Sequence, residues 1–457
     1  MASPRILIVG AGPAGVRAAE AIVAAGLRPT VIDEGAASGG QIYRRQPAGF
    51  TRSARQLYGS EAEKARSIHR AFDALKDRID YRPGSLAWNV RDNALHVASG
   101  DITEAVPYDA LLIASGATDR LFPAPGWTLP GVYSLGGAQV ALKAQACAIG
   151  SLVVFAGTGP LLYLVAWQYL QAGAKVAAVL DSATTSQQMS GLGDMAARPD
   201  LLLRGLGYVA GLGLKGVAVR AGATLREIVG GEDGVRGVRY RTSNGRERAI
   251  ACDAVGIGYH LRAETQLADL AGCRFDFDPL LGQWLPWIDS RGRSSVKGVY
   301  LAGDGVRLAG ADAAECSGAL AAYAALADLG RPVPADAERA LLARHAKMLR
   351  FRNGVFKSFP WPGARLAEEL LDEAILCRCE TVTAGALRRT VSEAGASEVN
   401  RAKAFSRVGM GRCQGRFCGL ASAEVVSHAL GVPLEAVGRL RGQAPVKPLS
   451  ASVRAKS

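Results

Sequence analysis

The apolar run Ile6-Leu7-Ile8-Val9 leads directly into Gly10-Ala11-Gly12-Pro13-Ala14-Gly15, an alanine-rich stretch closed by Gly26, and then Thr30-Val31-Ile32-Asp33. Strand, glycine turn, helix and strand in that order make a parallel βαβ unit of about 30 residues. The glycines have separate reasons: Gly10 permits the tight turn, Gly12 lets backbone approach a diphosphate, and Gly15 lets helix and strand pack closely. Unpaired N–H groups and the helix dipole favour an anion at that helix start. Asp33, with Glu34 adjacent, stands where a carboxylate accepts hydrogen bonds from a ribose.

The pattern repeats. Ser151-Leu152-Val153-Val154-Phe155 enters Gly157-Thr158-Gly159-Pro160-Leu161-Leu162, and a helical stretch to Gly173 is followed by Val176 to Asp181. The fold class expected is therefore α/β, two tandem Rossmann-like dinucleotide-binding domains. The second turn departs from the pattern, because Leu162 stands where the third glycine belongs and should push the helix away or alter the diphosphate seat. A nicotinamide or other nucleotide site across 157–181 is thereby in doubt, although Asp181 is placed to hold a ribose.

NAD and FAD share the first loop, and distant segments decide between them. Ala114-Ser115-Gly116, Gly303-Asp304 after the apolar strand Val299-Tyr300-Leu301, and Gly39-Gly40-Gln41 resemble the flavoprotein pattern of the disulfide-reductase-like superfamily. That resemblance implies FAD, with Asp304 near its ribityl and pyrophosphate region. The cofactor set is then Gly10, Gly12, Gly15, Asp33, Glu34, Gly40, Gln41, Ala114, Gly116, Gly303 and Asp304. Dithiol chemistry is not expected, since the first cysteine is Cys147 and it has no C-x-x-C partner. Cys147, Cys252, Cys273 and Cys316 read as buried small hydrophobes. His69, His96, His260, His345 and His428 are isolated and read as surface or capping residues, so no catalytic base is named.

The remaining cysteines are Cys377-Arg378-Cys379 and, 33 residues on, Cys413-Gln414-Gly415-Arg416-Phe417-Cys418. Four thiolates are the usual complement of a 2Fe–2S cluster. Gly409, Gly411, Gly415 and Gly419 permit loops that turn N–H groups toward sulfur, and Arg378, Arg401, Lys403, Arg407, Arg412 and Arg416 supply positive charge that should raise the cluster's potential. Zinc is the competing ligand, but a single spacer between paired cysteines suits structural zinc poorly.

Gly39-Gly40-Gln41-Ile42-Tyr43-Arg44, Gly159-Pro160-Leu161-Leu162 and Gly409-Met410-Gly411-Arg412-Cys413-Gln414-Gly415-Arg416-Phe417-Cys418 resemble the alpha subunits of bacterial heteromeric amino-acid dehydrogenases. That group includes D-hydroxyproline dehydrogenase, opine oxidases and the hydrogen cyanide synthase middle subunit. The cysteine segment is similar to the bacterioferritin-associated-ferredoxin-like 2Fe–2S domain, with four residues between the last cysteines instead of two. The resemblance implies an FAD-containing beta subunit of amino-acid-oxidase type that oxidises a CH–NH bond, a small ferredoxin-like gamma subunit, and an electron-relay role for this chain. Two rivals stand beside it: a self-sufficient NAD(P)H-dependent flavin and iron–sulfur reductase, and a non-catalytic scaffold subunit.

The expected organisation is an FAD-binding domain over 1–118 and 290–330, a second nucleotide-binding-like domain over 119–289, a bridging arm over 331–372 with exposed Phe356, Phe359 and Trp361, a small, mostly helical 2Fe–2S domain over 373–435, and a tail over 436–457, disordered after Ala444. The net charge of +13 comes without any run of five like charges, which argues for a solvated basic surface and against nucleic acid. It leaves an acidic partner or peripheral contact with anionic lipid open. No apolar run reaches the roughly 18 residues of a membrane helix, and a cytoplasmic protein is expected.

Overall fold

The computed structural model describes residues 3–47 and 49–456. Both βαβ units form where the apolar runs end in glycine turns. The first sheet is parallel, in the order Val299–Leu301, Ala110–Ile113, Ile6–Val9, Thr30–Ile32, Asp80–Arg82. The second, also parallel, runs Ala218–Ala221, Lys175–Asp181, Leu152–Thr158, Ala254–Tyr259, Val132–Ser134. Helix Pro13–Ala24 packs against helix Ala311–Asp328, where Gly318 has no room for a side chain: a Cβ there would lie 2.0 Å from the Ala14 carbonyl oxygen.

Strand alternation divides the second sheet between two cores. Val153 and Phe155 join Leu135, Leu162, Val165 and Tyr169 on the helix-covered face. Val154 and Ala156 face the other way, into a continuous apolar core that runs through Phe122, Trp127 and Ile228 to Leu376, Leu387, Val399 and Val425 of the cysteine module. That module is a hairpin, Ile375–Cys377 with Val382–Thr383, and helices Ala384–Ser392, Val399–Ser406 and Gly419–Leu430. It shares a core with the nucleotide-binding-like fold and is not a bead on a linker.

Four expectations need correction. The arm's aromatics are not exposed: Phe356 is 4% accessible and stacks on His260 at 4.4 Å, while Phe359 and Trp361 are partly buried. His260, read as a surface or capping residue, lies inside this contact. The tail is ordered: Val446 is buried, its N–H donates to the Trp88 carbonyl at 3.1 Å, and Arg454–Ala455 adds a parallel strand to Ile102–Pro107. Main-chain pairing and one anchored valine overcome a composition that reads as loose. Cys147 is exposed, whereas Cys252, Cys273 and Cys316 are buried. Among the described residues no helix is long and apolar enough to cross a membrane.

Phe356→Ala is expected to cost about 3–5 kcal/mol, the range for deleting a buried phenylalanine. A lowered denaturant midpoint checks it; an unchanged midpoint would return Phe356 to the surface.

Candidate functional site

Backbone builds the first site. Gly10 has φ +100°, and a Cβ on it would lie 2.4 Å from the Ala114 carbonyl oxygen; one on Gly15 would lie 1.8 Å from that of Gly10. Gly40, at φ +63°, comes so close to Gly12 that an added Cβ would stand 3.0 Å from its Cα. Gly303, with φ +73°, donates its N–H to Ser317 Oγ at 2.9 Å and leans on Ala14. The partly buried Asp304 carboxylate accepts from the N–H groups of Ala309 and Gly310 at 2.9 and 3.0 Å, and desolvation holds its pKa above the usual range. Asp33 accepts from the N–H groups of Ala11 and Gly35, again with burial pushing its pKa up. Space is open beside Gly116, and the nearby Thr118 hydroxyl is buried without a partner. A cradle of bare backbone at a helix start suits the diphosphate of FAD. Two candidates are engaged elsewhere: Glu34 is exposed and paired with Lys447, and Gln41 Oε1 accepts from Arg44 at 2.6 Å.

The second glycine turn is filled by the protein itself. Leu162 is fully buried in the helix-side core, and a Cβ on Gly159 would lie 2.9 Å from His260 Nδ1. His260 Nε2 donates to the Phe359 carbonyl at 2.6 Å, and Phe359 also packs on Tyr163. Burial drops the His260 pKa to about 4, so it sits there uncharged. Asp181, the expected ribose ligand, is inaccessible. It accepts from Thr158 Oγ1 at 2.7 Å, Tyr163 Oη at 2.6 Å, the Ala183 N–H at 2.8 Å and Gln188 Nε2 at 3.2 Å. Its acceptor positions are occupied, which a spacing argument cannot reveal.

The four C-terminal cysteines come together. Cys418 faces the thiols of Cys377 and Cys413, and Cys413 also faces Cys379. The hydrogen bond with Cys418 is the main cause that lowers Cys377 to about 6 and Cys413 to about 5, while Cys418 itself is raised. N–H groups of Gly409 and Glu380 point at Cys377, and those of Phe417 and Gly415 at Cys413. Gly411 is obligatory, since a Cβ there would lie 2.3 Å from Cys379 Cβ. Among the described residues no three Cys, His, Asp or Glu side chains close on a single metal ion; the four cysteines stand two on each of two loops, and four thiolates are the complement a 2Fe–2S cluster takes. The nearby cations have distinct settings. Arg378 lies over Trp127 and Phe417, Arg407 pairs with Glu380, and Lys403 is buried against Gln443.

Sequence reasoning missed the seam between the two sites. Arg262 Nη1 donates to the carbonyls of Gly415 and Arg416 at 3.2 and 2.9 Å, Gln266 Nε2 donates to that of Gln414 at 2.7 Å, and Glu264 pairs with Arg416. Arg262 lies in the short strand Leu261–Ala263 and Glu264 and Gln266 follow it, in no recognisable motif, so only tertiary contact could find them.

Comparison with known proteins agrees with this geometry. Residues 4–324 match the pyridine nucleotide-disulphide oxidoreductase model, and residues 375–428, which hold all four cysteines, match the BFD-like [2Fe-2S] binding domain. An opine oxidase subunit of Rhizobium meliloti is 36% identical over 97% of this chain and 86% of its own length. Hydrogen cyanide synthase subunit HcnB of Pseudomonas protegens is 33% identical over 97% of this chain and 96% of its own. The L-proline dehydrogenase of P. horikoshii, at 18% identity, shares the fold over all of this chain and 80% of its own, with a TM-score of 0.72. Gly411→Ala is expected to lower iron content and 2Fe–2S absorbance while FAD is retained, with Gly193→Ala, at an open position, as the neutral control; full iron loading in Gly411→Ala would contradict the loop geometry. The chain therefore belongs to the pyridine nucleotide-disulphide oxidoreductase family, as an FAD- and 2Fe–2S-containing oxidoreductase homologous to HcnB and to the opine oxidase chain.

Proposed function

We propose that this chain is the electron-relay subunit of a heteromeric dehydrogenase that oxidises the CH–NH bond of an amino acid or opine, of the D-hydroxyproline or opine kind. Its partners in this reading are an FAD-containing chain of amino-acid-oxidase type and a small ferredoxin-like chain. The observation that carries it is the filled second turn. His260 against Gly159 and the hydrogen bonds that engage Asp181 support a second turn that does not take a nicotinamide dinucleotide. The donor is then another protein. The opine oxidase relative and HcnB are both named as subunits, which supports a multi-chain assembly.

FAD, when bound, supplies the conversion from an electron pair to the single electrons that an iron–sulfur centre carries. The chain's own residues do the rest. Gly10, Gly12 and Gly40 receive the diphosphate on bare backbone, Asp33 and Asp304 accept hydrogen bonds from hydroxyl groups, and Cys377, Cys379, Cys413 and Cys418 hold the cluster. Apolar packing buries Cys377 and Cys418, while Cys379 and Cys413 keep partial access to solvent.

Two outcomes follow. NADH or NADPH added anaerobically to the isolated holoprotein is expected to leave the flavin absorbance unbleached; rapid bleaching would favour a self-sufficient reductase. Cys413→Ser in the purified complex is expected to abolish turnover with FAD still bound, measured with an artificial acceptor downstream of the cluster. Undiminished turnover would make the cysteine module a scaffold.

A further inference from the structure

Glu264 connects the two cofactor sites by itself. Its main-chain N–H donates to the Gly116 carbonyl at 3.0 Å, and its carbonyl accepts from Ser115 Oγ at 2.6 Å, so its backbone is clamped to the flavin fingerprint. Its carboxylate accepts from Arg416 Nε at 2.7 Å and Nη2 at 3.2 Å. Arg416 lies inside the Cys413–Cys418 loop, and its Nη1 donates to the carbonyls of Cys413 at 3.3 Å and Val446 at 2.7 Å. Both side chains are buried, 12% exposed for Glu264 and 9% for Arg416. The Arg262 guanidinium lies alongside, bonded to the carbonyls of Gly415 and Arg416.

We propose that Glu264 is a positioning residue that sets the cluster's reduction potential against the flavin's, by neutralising the Arg416 charge buried in the cysteine loop. The proposal rests on the FAD and 2Fe–2S reading above. Reduction adds a negative charge to the cluster, so an uncompensated cation beside it favours the reduced state, and low dielectric enlarges the effect. Glu264 cancels Arg416 and holds the potential down. Stability alone explains such a pair poorly, because a buried ion pair is often no more stabilising than an apolar one of equal volume. Its placement, with main chain on one cofactor segment and side chain on the other, is what a tuning role requires.

Redox titration of the full-length holoprotein, with the cluster followed by electron paramagnetic resonance and the flavin by absorbance, tests this. Glu264→Gln is expected to shift the cluster midpoint upward and Arg416→Gln downward, the doubly substituted protein to return near the wild-type value, and Arg416→Lys to stay near it. The flavin midpoint moves less than the cluster's in each. Unchanged midpoints, or shifts of one sign in both single variants, overturn the proposal. If Glu264→Gln fails to load its cluster, Arg416→Gln carries the test: a downward shift supports the role and none refutes it. Loading failure in both, and in Arg416→Lys, assigns the pair to folding and also overturns the proposal. A wild-type chain with no 2Fe–2S signal at all refutes instead the cofactor reading beneath it.

Discussion

The apolar core shared by the second sheet and the cysteine module is the constraint on which the rest of the molecule depends. Val154, Ala156, Val255 and Ile257 are fully or almost fully buried on the sheet face that leads into this core, and Leu376, Val399 and Val425 are fully buried at its far end. Burial of apolar surface contributes about 25 cal/mol per Å², so this shared core favours the two parts staying packed together. The cysteine loop is bonded to Arg262 of the strand Leu261–Ala263, which pairs with the strand Ala117–Asp119 that follows directly on Gly116. Relay between a flavin and a cluster needs a fixed distance more than it needs any catalytic side chain.

The second glycine turn follows from the same economy of space. Its Rossmann form survives, with Gly157 and Gly159 at positive φ and a proline opening the helix, while His260 packs beside Gly159 and Phe359 against Tyr163. The arm that supplies Phe359 also seals Gly191 against Gly354 and places Trp361 over Arg120 at 3.6 Å, with Trp361 Nε1 donating to Glu424 of the cysteine module. Through these contacts the second sheet's domain joins the arm and the cysteine module.

Much of this was legible in the sequence. Both βαβ units, the fold class and the gathering of four cysteines follow from glycine spacing and apolar runs, because those signals act over a few residues. Gly411 was legible as a permissive glycine, though not as one pressed against Cys379. What stayed hidden depends on contacts between distant segments. The occupied acceptors of Asp181, the burial of Phe356 and His260, the ordered tail at Val446 and the Glu264–Arg416 pair all join residues that no local pattern relates. Aromatics in a Pro-rich stretch read as exposed until a partner surface is known.

The central claim is that electrons enter this chain from another protein and leave through its cluster. The direct measurement is freeze-quench electron paramagnetic resonance of the complex purified from its native source, mixed anaerobically with its amine substrate. The account predicts that the 2Fe–2S signal appears within the turnover time and is absent when the partner chain is omitted. A signal that appears with NADH or NADPH and this chain alone, or a cluster that stays oxidised while the complex turns over, would contradict it.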